Sequence, residues 1–166
     1  YHGQLGDGGS NTYITAPSTT AIDLGTGRTA VAVSSGYEHT CAILDDGSLK
    51  CWGNDNYGQL GNGATTGNQP SPVSVDLGTG RTAVAVATGN RNTCAILDDG
   101  SLTCWGGDSQ GQVGNGATSG DQPSPVSVDL GVGRTAVAID VYGYHTCAIL
   151  DDASMKCWGS DGAGQL

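Results

Sequence analysis

Three pairs of cysteines, Cys41 and Cys51, Cys94 and Cys104, Cys147 and Cys157, flank three Asp-Asp steps. They lie in HTCAILDDGSLKCWG (39–53), NTCAILDDGSLTCWG (92–106) and HTCAILDDASMKCWG (145–159). Such pairs can form a disulfide, hold a metal, cycle between redox states or stay as reduced structural thiols. Zinc wants four convergent ligands, usually with a tighter Cys-x-x-Cys step, and each stretch offers two. Hairpin geometry favours the disulfide. A type I turn with Gly47 in the left-handed position sets Leu44 opposite Ser48. Counting back, Ile43 faces Leu49, Ala42 faces Lys50 and Cys41 faces Cys51. That rung is not hydrogen-bonded, so its Cα atoms approach to about 4.5 Å, within disulfide reach. The same count joins Cys94 to Cys104 and Cys147 to Cys157. Closing a ring of about ten residues restricts the unfolded chain by roughly 3 kcal/mol on the entropy model. Three pairs and no odd cysteine imply an oxidising compartment, so the chain is expected to be secreted or at the cell surface.

The remaining chemistry-bearing residues have plainer readings. The aspartates at 45/46, 98/99 and 151/152 hint at Ca²⁺, but Ca²⁺ wants 6–8 oxygens. Aspartate also favours turns by bonding the next amides. His39 and His145 suggest acid–base work, yet no nucleophile, base and orienting group are spaced to them. Trp52, Trp105 and Trp158 would suit a sugar-binding ring; each follows a paired cysteine in a strand, which suits packing. Gly25 and Gly27 precede no helix, so they do not form a nucleotide loop. No catalytic residue, metal or cofactor is expected.

The elements that position these residues repeat. Cys41, Cys94 and Cys147 are 53 apart (94 − 41, 147 − 94), as are the three tryptophans. DLGTGRTAVAV at 23–33 returns at 76–86 and, as DLGVGRTAVAI, at 129–139. GQLGNGATTGNQPSPVSV (58–75) returns as GQVGNGATSGDQPSPVSV (111–128). A longer, divergent copy opens the chain at 3–22. Each unit predicts four short strands: RTAVAV, TCAIL, LKCWG and a strand near PSPVSV. Prolines remove ladder donors, so the last belongs on the outer edge. Strands such as TCAIL are apolar on both faces and sit between packed layers. The expected fold is all-β, a β-propeller of four-stranded blades with about three blades in this chain; a solenoid of stacked sheets is the alternative. The expected division is 1–22, outer strand of a preceding blade; 23–75, blade one; 76–128, blade two; 129–166, blade three, lacking its outer strand.

VSSGYEHTCAI (33–43) and DGSLKCWGNDNYGQLGNG (46–63) resemble the repeat of the regulator of chromosome condensation family, marked by Gly-x-x-His-Thr, a D-G turn, Trp-Gly and G-Q-L-G. The resemblance covers essentially the whole chain and implies a propeller, usually of seven blades, presenting loops on two faces. Asn92 departs from the histidine of the pattern, and Tyr142 takes the glycine slot, with Gly143 one place late. Members include an exchange factor for a small GTPase, ubiquitin-ligase subunits, a photoreceptor and a secreted enzyme inhibitor, so the resemblance selects no activity.

Two loops differ between units: SSGYEH, ATGNRN and DVYGYH, then GNDNYG, GGDSQG and GSDGAG. Differing loops on a common frame are where selectivity resides. Tyr37, Glu38, Arg91, Tyr142 and Tyr144 are the candidate binding set, with His39 and His145 at the loop bases. Of 166 residues only six are Lys or Arg, and the net charge is −10. That disfavours nucleic acid and anionic membranes as partners, and no apolar run spans a bilayer. The expected partner is a protein or other copies of the chain. Tyr1 opens the chain without Met, which suggests a processed product or part of something longer. An opening outer strand and an incomplete third blade would leave unpaired edges. They predict an oligomer completed by strand exchange, as ring or filament, or a segment of a longer array.

Overall fold

A computed structural model describes residues 1–9, 13–118 and 120–166. Among these residues the fold is all-β, and no helix is long and apolar enough to cross a membrane. The first sheet holds β1 (Ala30–Ser35), β2 (His39–Leu44), β3 (Leu49–Gly53) and β4 (Gln69–Ser74) in sequence order. The second repeats it with β5 (Ala83–Thr88), β6 (Asn92–Leu97), β7 (Leu102–Gly106) and β8 (Gln122–Ser127). The third has three strands, β9 (Ala136–Tyr142), β10 (His145–Leu150) and β11 (Met155–Gly159). All pairs are antiparallel, and the proline-bearing β4 and β8 lie on outer edges. Strand β1 packs beside β5 and β5 beside β9, so these are the inner strands of three propeller blades.

The hydrophobic core lies between blades, which is why β2 is buried along its whole length. Cys41, Ile43, Leu49 and Cys51 face blade two and pack with its Ala83, Ala95, Leu97 and Trp105. Ala42 and Leu44 point the other way, onto Trp52, Ile22 and Leu24. The blade-two face carrying Cys94, Ile96, Leu102 and Cys104 packs likewise on Ala136, Ala148 and Leu150 of blade three. The cysteine hairpins have the counted register, Cys41 opposite Cys51 and Ile43 opposite Leu49. The turn is closed by the Gly47 amide on the Leu44 carbonyl (2.9 Å) and the Leu44 amide on the Ser48 carbonyl (2.8 Å). All three cysteine pairs lie at disulfide distance, with Cα separations of 4.0, 4.1 and 4.1 Å. This arrangement is compatible with an oxidising compartment.

The opening segment packs against the blade that follows it. Described residues in 1–22 form no strand. Residues 1–9 instead lie on blade one, where the Gln4 carbonyl accepts the Trp52 indole N–H (2.9 Å) and the Gly8 amide donates to the Pro70 carbonyl (3.0 Å). The same contact recurs one unit on, where Gln59 accepts from Trp105 at 3.0 Å. A Cβ on Gly61 would come within 2.6 Å of that indole nitrogen, so the G-Q-L-G backbone touches the ring only because Gly lacks one. Residues 1–9 therefore cap the blade that follows them.

The aspartate pairs serve the opposite end from the variable loops. Arg28 bridges Asp45 and Asp46 at 3.2 and 2.9 Å, and Arg81 and Arg134 repeat the fork on 98/99 and 151/152. Asp46 Oδ1 also accepts the Ser48 hydroxyl (2.6 Å) and amide (3.0 Å), which hold its carboxyl below the usual range.

Candidate binding face

Both variable loops of each unit meet at one end of the sheets. The Asn54 amide donates to the Glu38 carbonyl (2.8 Å), Gly107 to Arg91 (2.8 Å) and Ser160 to Tyr144 (2.9 Å). Adjacent blades are also joined there, through the Tyr37 amide on the Gly89 carbonyl (3.1 Å) and the Asn90 amide on the Gly143 carbonyl (3.0 Å). The inner strands end in a depression of about 370 Å³, lined by Ser35, Tyr37, Thr88, Asn90, Val141, Tyr142 and the glycines between them. Tyr37 and Tyr142 are 75% and 77% exposed, which leaves their rings available to a partner.

His39 does not belong to that surface. It is fully buried, with Nε2 2.8 Å from Thr93 Oγ1 of the next blade. The Thr93 hydroxyl spends its proton on the Gln59 carbonyl (2.8 Å), so His39 must donate from Nε2, leaving Nδ1 without a partner. Burial lowers its pKa to about 4, so the ring is neutral near pH 7. Asn92 makes the equivalent tie, donating to Thr146 Oγ1 at 3.4 Å. The His-to-Asn departure therefore preserves an inter-blade bond. His145 is half-buried, and its ring forms a T-shaped pair with that of Tyr142, centroids 6.3 Å apart.

Glu38 and Arg91 are engaged by the loop of the preceding unit. Glu38 Oε1 lies 3.2 Å from His2 Nε2, and its Oε2 accepts from Asn54 Nδ2 at 2.8 Å. The Arg91 guanidinium stacks on Tyr57 at 4.0 Å and lies 5.9 Å from Tyr144. Of the seven candidates, then, Tyr37 and Tyr142 line the depression and stand freest, Tyr144 flanks Arg91, and Glu38 and Arg91 bridge units. Sequence reasoning missed His2, Tyr57 and Asn54. The signal was present: His2 and Tyr57 both immediately precede a Gly-Gln step. Trp52 and Trp105 are buried, which removes them from any sugar-binding ring.

Two buried carboxyls support the loops. Asp55 and Asp108 accept the Leu60 and Val113 amides at 3.1 and 3.0 Å through Oδ1, while each Oδ2 has no hydrogen-bond partner. Burial raises both pKa values, opposed in part by those amides.

Antiparallel sheets packed side by side along their inner strands, with unit-specific loops gathered at one end, define a β-propeller. The pattern described as the regulator of chromosome condensation (RCC1) repeat matches residues 30–59, 83–112 and 136–165, and a second pattern so described matches 46–96. The chain belongs to the RCC1 repeat family. Across 81% of its length it is 34% identical to the mitochondrial RCC1 domain-containing protein RUG3 of Arabidopsis thaliana, of which it covers 31%. It is 32% identical to the Arabidopsis ultraviolet-B receptor UVR8 (81% of this chain, 30% of that one). The human E3 ubiquitin-protein ligase HERC2 is 29% identical over 82% of this chain, which covers 3% of HERC2. The chain thus spans less than a third of these relatives. Among solved structures, human WBSCR16 superposes with a TM-score of 0.81 at 22% identity, covering 95% of this chain and 40% of that one. Yeast RCC1 (Prp20), solved bound to Kap60, gives 0.72 at 19% identity, covering 80% and 32%.

Proposed function

We propose that this chain is a non-enzymatic binding module whose partner, a protein, docks on the end that carries Tyr37 and Tyr142. The observation that carries the reading is the pair of exposed tyrosines around a depression formed by three blades. Aromatic anchors beside a concave site contribute a large share of interface energy, often about 2 kcal/mol or more each. Structural neighbours agree in kind: yeast Prp20 is solved with Kap60, and a second Prp20p structure is described with its binding to Gsp1p and histones. The three cysteine pairs support a secreted or cell-surface setting, where such a module serves recognition or adhesion. The net charge of −10 disfavours nucleic acid as the partner. The test compares bead-bound wild type with Tyr37→Ala/Tyr142→Ala in an extracellular-fluid proteome, read by quantitative mass spectrometry. The expected result is a discrete protein set reduced at least tenfold by the substitutions, with an unchanged melting temperature. Equal recovery by both proteins overturns the reading.

A second reading, assembly with further repeats or copies, is favoured by the open face of blade three. Ile149 and Met155 are 43% and 67% exposed, whereas their counterparts Ile43, Ile96, Leu49 and Leu102 are at most 3% exposed against a neighbouring blade. Sedimentation over a concentration series discriminates. Association that Met155→Lys abolishes supports it; a monomer throughout removes self-assembly.

A further inference from the structure

We infer that the depression at the ends of β1, β5 and β9 takes a cationic side chain, the Lys or Arg of a partner segment. The inference rests on the binding-face reading and adds the chemistry of the ligand. Its lining residues are two tyrosines, Ser35, Thr88, Asn90, Val141 and three glycines; none is basic or acidic, and the Thr88 hydroxyl is already tied to Ser34 Oγ at 2.8 Å. Such a lining offers aromatic faces and oxygen acceptors with no positive charge to repel a cation. Ring faces carry negative quadrupole density and attract ammonium or guanidinium groups.

The surroundings have the matching sign. The chain carries −10, and three of its four arginines, Arg28, Arg81 and Arg134, are neutralised by aspartate forks at the far end. Asp140, exposed on β9 two residues before Tyr142, stands outside every ion pair among the described residues. A field of this sign steers cations toward the molecule. The same face already uses this chemistry internally, where Arg91 lies over Tyr57 at 4.0 Å. Arg91 is held in that stack and is not part of the lining, and the Tyr37 and Tyr142 side chains are largely exposed to an incoming cation. An acidic segment would meet a field of the wrong sign, and a purely apolar one would leave the polar groups of Ser35 and Asn90 without a partner.

The test titrates fluorescein-labelled (Lys-Gly)₄, (Glu-Gly)₄ and (Ser-Gly)₄ peptides into the intact chain at near-physiological salt, read by anisotropy. The lysine peptide should bind saturably and the other two should not. Tyr37→Ala/Tyr142→Ala should weaken it about tenfold, Tyr37→Phe/Tyr142→Phe should keep most of the affinity because the ring face remains, and Tyr13→Ala should change nothing. Lysine binding that is indifferent to the tyrosines, or a preference for the glutamate peptide, overturns the inference. So does the absence of saturable binding. If the alanine pair still abolishes capture of a protein partner while the lysine peptide fails, the cation inference falls and the binding face stands. If the pair affects neither, both fall.

Discussion

His39 carries the sharpest titration argument in the molecule. Its imidazole is buried and neutral, with its pKa lowered to about 4 by desolvation. The unfolded chain, with an ordinary value near 6.5, therefore binds more protons than the folded chain between those two values. Stability from this site is full above about pH 6.5 and is lost as pH falls toward 4, by up to roughly 3 kcal/mol at the bottom of the window. Asp55 and Asp108 act the other way: their raised pKa values mean that burial costs stability at neutral pH, and acid relieves it. A substitution at 39 isolates the histidine. Asn92 shows that asparagine makes the same tie to the next blade. His39→Asn should therefore leave denaturant stability at pH 7.5 within about 1 kcal/mol and make the variant the more stable protein at pH 5. Equal pH profiles would show that position 39 does not titrate. The histidine's place was only half legible in sequence. Its recurrence announced a structural role, but the partner, Thr93, lies in another unit, and nothing local to His39 names it.

The hairpins were the most legible elements, because turn type, register and pairing follow from one count around Gly47. Gly47 has φ of 76°, and Gly100 has 77°. The third copy places Ala153 there at 66°, the one non-glycine in the left-handed region among the described residues. Alanine pays about 1 kcal/mol or more in that conformation. Gly47 has a second reason to lack a side chain, since a Cβ would sit 2.5 Å from the Cβ of Thr82 in the next blade. Ala153→Gly should raise the melting temperature by a few degrees. Gly47→Ala should lower it by more than that, through strain and collision together. A loss at 47 no larger than the gain at 153 would show that backbone strain alone operates. The opening segment was the least legible element. A period of 53 residues fixes the repeat but not its phase, so sequence could not say whether G-Q-L-G closes its own blade or caps the next. The indole contact made only by a Cβ-free backbone decides that.

Stacking near-identical blades raises a problem of order, because any blade face is chemically able to take another's partner. Repeat arrays misassemble by such slips. The common ties, Trp and Thr to the Gln carbonyl, are the same at Gln4, Gln59 and Gln112 and discriminate nothing. The contacts that differ are His2 with Glu38 and Tyr57 with Arg91, each joining the loop of one unit to the next. A slip would set Glu38 against the electron-rich face of Tyr57, or Arg91 against His2, and lose both pairs. Residues that looked like a free binding set by virtue of varying thus vary, in these two cases, with a partner about 35 positions upstream. The pairs should therefore be exchangeable as units. His2→Tyr and Glu38→Arg made singly should each lower stability by about 0.5 to 1 kcal/mol. Made together they recreate the tyrosine–arginine stack at the first junction and should recover most of the loss, a coupling visible in a double-mutant cycle by chemical denaturation. Strict additivity of the two losses would show that the positions do not read one another, and the ordering role would pass to the buried faces.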